Sequence, residues 1–567
     1  MPRSLAHSRV PLRLAGSGTA AVLVGLAGLA FYVATLAPTL LWGDDAELQR
    51  IVQTGEPRTL GQSSAASHLL WLALARRFVA ATTWLPLDPA GRTNLVAALC
   101  AAAALPLVFL AALELAAAGA GEAEAGAHVA LFVPPGATIA GLAAAVALGL
   151  SHTFWLLAVR PDAYTLQMAL LAAAVWLVLR WRRTAHPTAL LGAAACTAAA
   201  LLNHPMILAS VPALAWLALS PGGAAPRRLV PAAAIAGAAT LAGLAVAVAA
   251  GVPLAALVAT LARFRPQLAS PRDVLAVPAY LLYQFPPALV LALPGAWRLW
   301  QMRRAILAGL VILYAGNAVL PLTFYVRDRF LFFLPSYLPV ALLIGLGAAE
   351  LAERGLTLRR VSAPATEPIA RCTLGPKPRP PGVEVGCKES GGADTTGQTA
   401  GRPRARRLLL AALLAAPLAV YPLAAATAGA AATRLAPARR LPERDPVAFY
   451  LLPPKAGYFG ARHYATQAMQ MLAPGAAVVA DWLLYQPLRY LQQVEGVRPD
   501  VELAMINAGG GAQLRFLLAQ PAGRPLYLAD DSPPPYYELD DISRCFRLAP
   551  EGPVFRLQPR PGVPCAP

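Results

Sequence analysis

Apolar runs long enough to cross a bilayer recur along most of this chain, parted by short polar turns. About 20 helical apolar residues cross ~30 Å of hydrocarbon. On that measure the pattern predicts eleven spans, at 15–37, 94–117, 131–150, 164–181, 187–203, 205–220, 229–251, 275–296, 305–325, 330–350 and 408–428. Short segments of strict apolar–polar alternation, as a barrel requires, are not what these runs show. The apolar stretch 69–75 is followed by Arg76 and Arg77, so it reads as an amphipathic helix on the outer membrane surface. The expected fold is an α-helical polytopic membrane protein.

The pattern changes towards the C-terminus. Residues 476–480, 501–506 and 525–529 read as strands, and 488–493 and 513–519 as helices. That alternation predicts a small α/β domain. Gly509, Gly510 and Gly511 lie within it without the Walker lysine or the Rossmann spacing, and read as a turn. Residues 355–405 are rich in Pro, Gly, Thr and Arg, including Pro376, Pro378, Pro380 and Pro381. Such a segment buries too little apolar surface to fold alone. The expected organisation is a transmembrane domain at 1–351, a disordered cytoplasmic linker at 352–407, a last transmembrane helix at 408–430 and an extracytoplasmic α/β domain at 431–567.

Charge sharpens this picture. Of 567 residues, 57% are apolar and 13% charged, with 47 Lys+Arg against 29 Asp+Glu and a net charge of +18. A soluble protein carries about 25% charged residues. The lysines are Lys377, Lys388 and Lys455, so the basic charge is almost all arginine. It clusters at the ends of apolar runs: Arg180, Arg182 and Arg183; Arg227 and Arg228; Arg298, Arg303 and Arg304; and Arg354 through Arg407. With the N-terminus in the cytoplasm, all four groups fall on the inner side, as orientation signals do. Arg76 and Arg77, placed outside, and Glu122 and Glu124, placed inside, are exceptions. This distribution argues against a nucleic-acid partner. The basic start (Arg3, Arg9, Arg13) precedes an apolar core too long for a signal peptide and without a small-residue cleavage site, so it reads as an uncleaved first span. The six cysteines show no CxxC or metal spacing. Cys545 and Cys565 could pair outside the cytoplasm or stand as two thiols.

Candidate chemistry begins just past the first span, at Trp42-Gly43-Asp44-Asp45-Ala46-Glu47. Carboxylates beside a bilayer are costly unless they are used. Asp44, Asp45 and Glu47 could supply a general base, with a second carboxylate to orient an acceptor or hold a cation. They could equally form a solvated helix end. No residue pattern requires a divalent cation or any other cofactor. Trp155, Arg160, Asp162 and Tyr164 combine aromatic faces, arginine and carboxylate, which suits a sugar and a phosphate; an interfacial aromatic belt is the alternative. Asn203 and His204 mark a polar turn. Tyr325, Arg327, Asp328 and Arg329 suit a lipid-linked phosphate, or serve as interfacial anchors. Arg263, Arg265 and Arg272 are weaker candidates of that kind. The topology puts these loops, and the chain beyond about 433, on one outer face. No serine-hydrolase elbow or HExxH is present, and the clearest intramembrane acid is Glu114, near a span end.

These residues carry a resemblance. Thr35-Leu36-Ala37-Pro38-Thr39-Leu40-Leu41-Trp42-Gly43-Asp44-Asp45-Ala46-Glu47-Leu48 resembles the opening of a branch of the GT-C membrane glycosyltransferases. That branch holds the eukaryotic transmembrane O-mannosyltransferase acting on plexin-type domains, and bacterial relatives. Asn94-Leu95, 151–167, Asn203-His204 and 325–336 resemble further blocks in order. So do Arg444-Asp445, Pro454-Lys455, Gly460-Ala461-Arg462, Asp481-Trp482 and 494–500 near the C-terminus. The resemblance implies a multi-pass enzyme of the bacterial inner membrane performing inverting hexosyl transfer. Its donor would be a polyprenyl-phosphate sugar and its acceptor an extracytoplasmic protein or glycan. Asp44 and Glu47 match the family's acids, Asp44 as base. Asp162 stands where the family has glutamate and Gln167 where it has asparagine. Asp45 and Ala46 replace serine and glycine, and 57–64 departs from the family's HPPGYPL block. A flippase for lipid-linked glycan, or an inactive membrane scaffold, are the rival readings.

Overall fold

The computed structural model describes residues 15–56, 68–117, 135–220, 269–323, 329–361, 401–435, 441, 444, 446–563 and 565. Ten of the eleven expected spans coincide with described helices, and the eleventh, 229–251, lies outside the described residues. Five helices are long and apolar enough to cross a bilayer: Ser17–Ala34, Pro89–Ala117, Tyr164–Thr184, Arg304–Thr323 and Arg329–Glu353. Three more candidates are bent pairs, Gly136–Gly149 with His152–Ala158 (69°), Pro271–Gln284 with Ala288–Met302 (94°) and Ala405–Ala415 with Pro417–Ala428 (41°). Pro286 and Pro287 part the second pair, since neither has an N–H to continue the helical ladder. The described residues thus give five to eight spans. The remaining expected spans fall on the shorter helices Pro187–Asn203 and Pro205–Leu219 and on 229–251.

Small residues let the helices approach closely, as membrane packing requires. A Cβ on Gly347 would lie 1.8 Å from the Leu291 carbonyl oxygen, and one on Gly295 2.0 Å from that of Leu343. Both ends of the stretch expected as a linker, 352–407, are helical. Leu334–Val361 continues past its start and Gly401–Ala415 begins before its end, while 362–400 lies outside the described residues. A helix forms over the expected amphipathic stretch, at Leu69–Ala81, burying Trp71, Ala75 and Val79 and exposing Arg76 and Arg77.

The C-terminal region is a small α/β fold. Strands β1 (Ala477–Ala480), β2 (Glu502–Met505), β3 (Leu526–Leu528), β4 (Phe546–Glu551) and β5 (Val554–Pro559) order as β2-β1-β3-β5-β4. β1 pairs in parallel with β2 and β3, whereas β5 is antiparallel to β3 and β4. β1 is wholly buried because helices cover both its faces. Val478 and Ala480 enter one core with Tyr464 and Tyr490, and Ala477 and Val479 the other with Leu517 and Ile542. Cys545 and Cys565 are joined in a disulfide, which the sequence left open.

This region sits on the ends of the membrane helices. Trp42 Nε1 donates to the Tyr458 hydroxyl at 2.6 Å, Arg462 binds Asp88 at 3.0 Å, and Arg50 reaches Gln493 at 2.8 Å.

Candidate active site

The loop after the first span is held by two buried amides. Asn94 Nδ2 donates to the carbonyls of Ala37 and Thr39 at 2.9 and 3.1 Å. Gln49 Nε2 donates to Asn94 Oδ1 at 2.7 Å, and Gln49 Oε1 accepts from Leu41 N at 3.1 Å. Ala37 N bonds the Val159 carbonyl at 2.9 Å, tying this loop to the one that carries Arg160. Gly43, at φ 54, precedes the helix Asp44–Thr54, and a Cβ there would lie 2.9 Å from Leu483 Cδ1. All three acids occupy the first turn of that helix, where its dipole favours negative charge.

The two aspartates meet opposite surroundings. Asp44 is exposed, and its Oδ1 accepts from Trp482 Nε1, 2.6 Å away in the C-terminal region. Asp45 is 4% exposed and its Oδ1 lies 3.2 Å from Arg160 Nε. Glu47 is fully buried. Burial pushes the Asp45 carboxyl up to about 6, with Asp44 adding to the rise and Arg160, Arg444 and Lys455 opposing it. Burial likewise lowers Lys455 to about 7; Arg160 and Arg444 deepen that drop and Asp45 resists it. Asp45, Arg160, Arg444 and Lys455 are thus one electrostatic cluster, drawn from both halves of the chain.

The other expected residues divide. Trp155 turns into the bundle, donating to Thr35 Oγ1 at 3.0 Å and packing against Phe31. Asp162 accepts from Tyr164 N at 2.7 Å, bracing the start of the helix Tyr164–Thr184. Tyr164 and His204 pack together with His68 and Phe332, with the two histidine rings stacked 5.2 Å apart. Asn203 Nδ2 donates to the Ala163 carbonyl at 2.9 Å and to Gln167 at 3.2 Å. Arg329 pairs with Asp273 at 2.7 Å. Tyr325, Arg327 and Asp328, like the altered block 57–64, lie outside the described residues. Glu114, the expected intramembrane acid, is matched by Arg183 at 2.5 Å and Arg180 at 3.6 Å.

Three residues at the site were not among those singled out for chemistry: Arg444, Lys455 and Trp482. Their signal was the family-like blocks Arg444-Asp445, Pro454-Lys455 and Asp481-Trp482; distance along the chain hid their proximity to Asp44 and Asp45. Among the described residues no group of three or more His, Cys, Asp or Glu side chains is arranged to hold a metal ion.

Solved structures similar to this chain include that of ArnT from Cupriavidus metallidurans bound to undecaprenyl phosphate. It is 13% identical, with a TM-score of 0.49, covering 97% of this chain and 99% of that one. The same enzyme in the apo state is 14% identical, with a TM-score of 0.48, covering 96% and 98%. The arabinosyltransferase EmbB from Mycobacterium smegmatis is 17% identical, with a TM-score of 0.34, covering 63% and 33%. No curated protein sequence matches the chain. Residues 70–222 match the family model described as the protein O-mannosyl-transferase TMEM260 N-terminal domain. That stretch includes Trp155, Arg160, Asp162, Tyr164, Asn203 and His204. The similarity to that family's N-terminal domain extends over residues 70–222 of the 567 and falls in the branch its sequence resembles.

Proposed function

We propose that this protein is a membrane glycosyltransferase that moves a sugar from a polyprenyl-phosphate donor to a hydroxyl of an extracytoplasmic protein or glycan. The observation that carries this reading is the pairing of an exposed acid with a buried cationic cluster in adjacent residues. Asp44 faces solvent under the Trp482 indole, while Asp45 behind it joins Arg160, Arg444 and Lys455. The family match over residues 70–222 supports the same reaction class.

In the proposed step, Asp44 accepts the proton of the acceptor hydroxyl as its oxygen attacks the anomeric carbon. The bond from that carbon to the phosphate oxygen breaks, and its electron pair leaves with the lipid phosphate. Attack opposite the leaving group inverts the anomeric centre. Positive charge at the site stabilises the growing phosphate charge. Asp45, buried against Arg160, orients that arginine; Glu47, wholly buried, supports the helix that presents Asp44. Arg329, expected to hold a phosphate, pairs with Asp273.

The test incubates purified protein in lipid vesicles with radiolabelled polyprenyl-phosphate sugars and an extract of extracytoplasmic acceptors. Label passing from lipid to acceptor is expected. Movement of the intact lipid-linked sugar across the vesicle, without transfer, would identify a flippase; neither event would leave a scaffold.

A further inference from the structure

We propose that Arg444 and Lys455 form the seat for the phosphate group of the lipid-linked donor, carried to the acidic site by the segment that leads into the C-terminal domain. The identity of the anion rests on the transferase reading; the burial of the two cations does not.

The argument starts from charge. Arg160, Arg444 and Lys455 are 6%, 6% and 3% exposed, and the buried carboxylate they share is Asp45. Buried cations are costly in a low dielectric unless anions meet them. Arg160 has Asp45 at 3.2 Å. Among the described residues, no carboxylate lies within ion-pair distance of Arg444 or Lys455. The Arg444 guanidinium lies over the rings of Phe449 and Tyr450, at 4.5 and 5.2 Å, and its buried Nε has no hydrogen-bond partner. The Lys455 ammonium touches the carbonyls of Leu452 and Pro453 and lies 4.8 Å from the same Phe449 ring. One aromatic ring thus spaces two cations whose donors are incompletely used. Guanidinium and ammonium donors around one ring suit a phosphate.

Position supports the assignment. The segment is pinned across the ends of the membrane helices. Lys455 N donates to the Thr35 carbonyl at 2.8 Å, just past the first span. His152 Nε2 donates to the Tyr450 carbonyl at 2.7 Å, and the Tyr283 hydroxyl to that of Leu451 at 2.9 Å. These contacts hold the segment beside the end of the apolar helix Ser17–Ala34. Of the cations expected there from sequence, Arg327 lies outside the described residues and Arg329 pairs with Asp273.

Lys455 is faced by Asp45, Arg160, Arg444 and His152, so its charge responds to pH near neutrality. Binding of a polyprenyl phosphate to the full-length protein in nanodiscs, without acceptor, tests the seat. Lys455→Ala and Arg444→Ala should each raise Kd about tenfold or more, with melting temperatures reported beside them. Between pH 6.5 and 8.5 wild type should lose affinity about tenfold relative to Lys455→Arg, whose guanidinium stays charged. The ratio to Lys455→Arg cancels the titration of the lipid phosphate itself. Folded alanine variants that bind like wild type would overturn the seat. If they do not fold, a wild type whose pH profile parallels that of Lys455→Arg would overturn it. Because no acceptor is present, absent transfer in wild type would count against the transferase reading while leaving this result intact.

Discussion

Asp44 and Asp45 are neighbours whose different surroundings divide their work. One faces solvent and the Trp482 indole; the other is buried against Arg160. Chain order alone could not separate them, because a helix turns successive residues by about 100° and which one faces inward depends on what packs there. The family resemblance favoured Asp44 and Glu47 and made Asp45 a departure; burial makes Asp45 the anchor of the cationic cluster. Its carboxyl is raised from 3.8 to about 6. The folded protein therefore holds that proton more tightly than the unfolded chain. Asp45 costs stability as pH rises from about 4 to about 6, by roughly 3 kcal/mol once complete. Melting curves should show Asp45→Asn gaining on wild type across that window. A constant difference from pH 4 to pH 6.5 would contradict the assignment.

At the scale of elements, the membrane helices were readable because apolar length is a strong signal. The strands β1, β2 and β3 were readable for a related reason: each is a short apolar run between turns. The hairpin of β4 and β5 was not. Its residues, such as Arg547, Glu551, Arg556 and Gln558, mix polar and apolar positions at the edge of the sheet. The helix Gly460–Met471 was also missed, since its apolar face is mostly alanine beside Arg462, His463 and Gln467. Close helix approach is likewise invisible without partners. Gly347→Val would drive a side chain into the Leu291 carbonyl, 1.8 Å from where a Cβ would sit. The loss of folded protein in detergent, by size-exclusion chromatography, should be severe, because the neighbour is backbone and cannot turn aside. A normal monodisperse yield would show that the helices can part there.

For the whole molecule, the site belongs to neither half alone. The membrane domain supplies Asp44, Asp45 and Arg160, and the C-terminal region supplies Arg444, Lys455 and Trp482. The expected outer loops meet pairwise: Asp45 meets Arg160, Tyr164 and His204 pack with Phe332, and Arg329 pairs with Asp273. The disulfide between Cys545 and Cys565 bears on sidedness, since such bonds persist in oxidising compartments. With the C-terminal region outside, a membrane-impermeant thiol reagent applied to reduced intact cells should label Cys545 and Cys565. Labelling seen only after the membrane is opened would invert the proposed topology.

The central claim is that Asp44 is the base of a sugar transfer, and Asp44→Asn tests it most directly. The variant should insert, melt and bind polyprenyl phosphate as wild type does, yet transfer labelled sugar about 10²–10⁴-fold more slowly, the usual contribution of a positioned base. Transfer at the wild-type rate by Asp44→Asn would contradict the account.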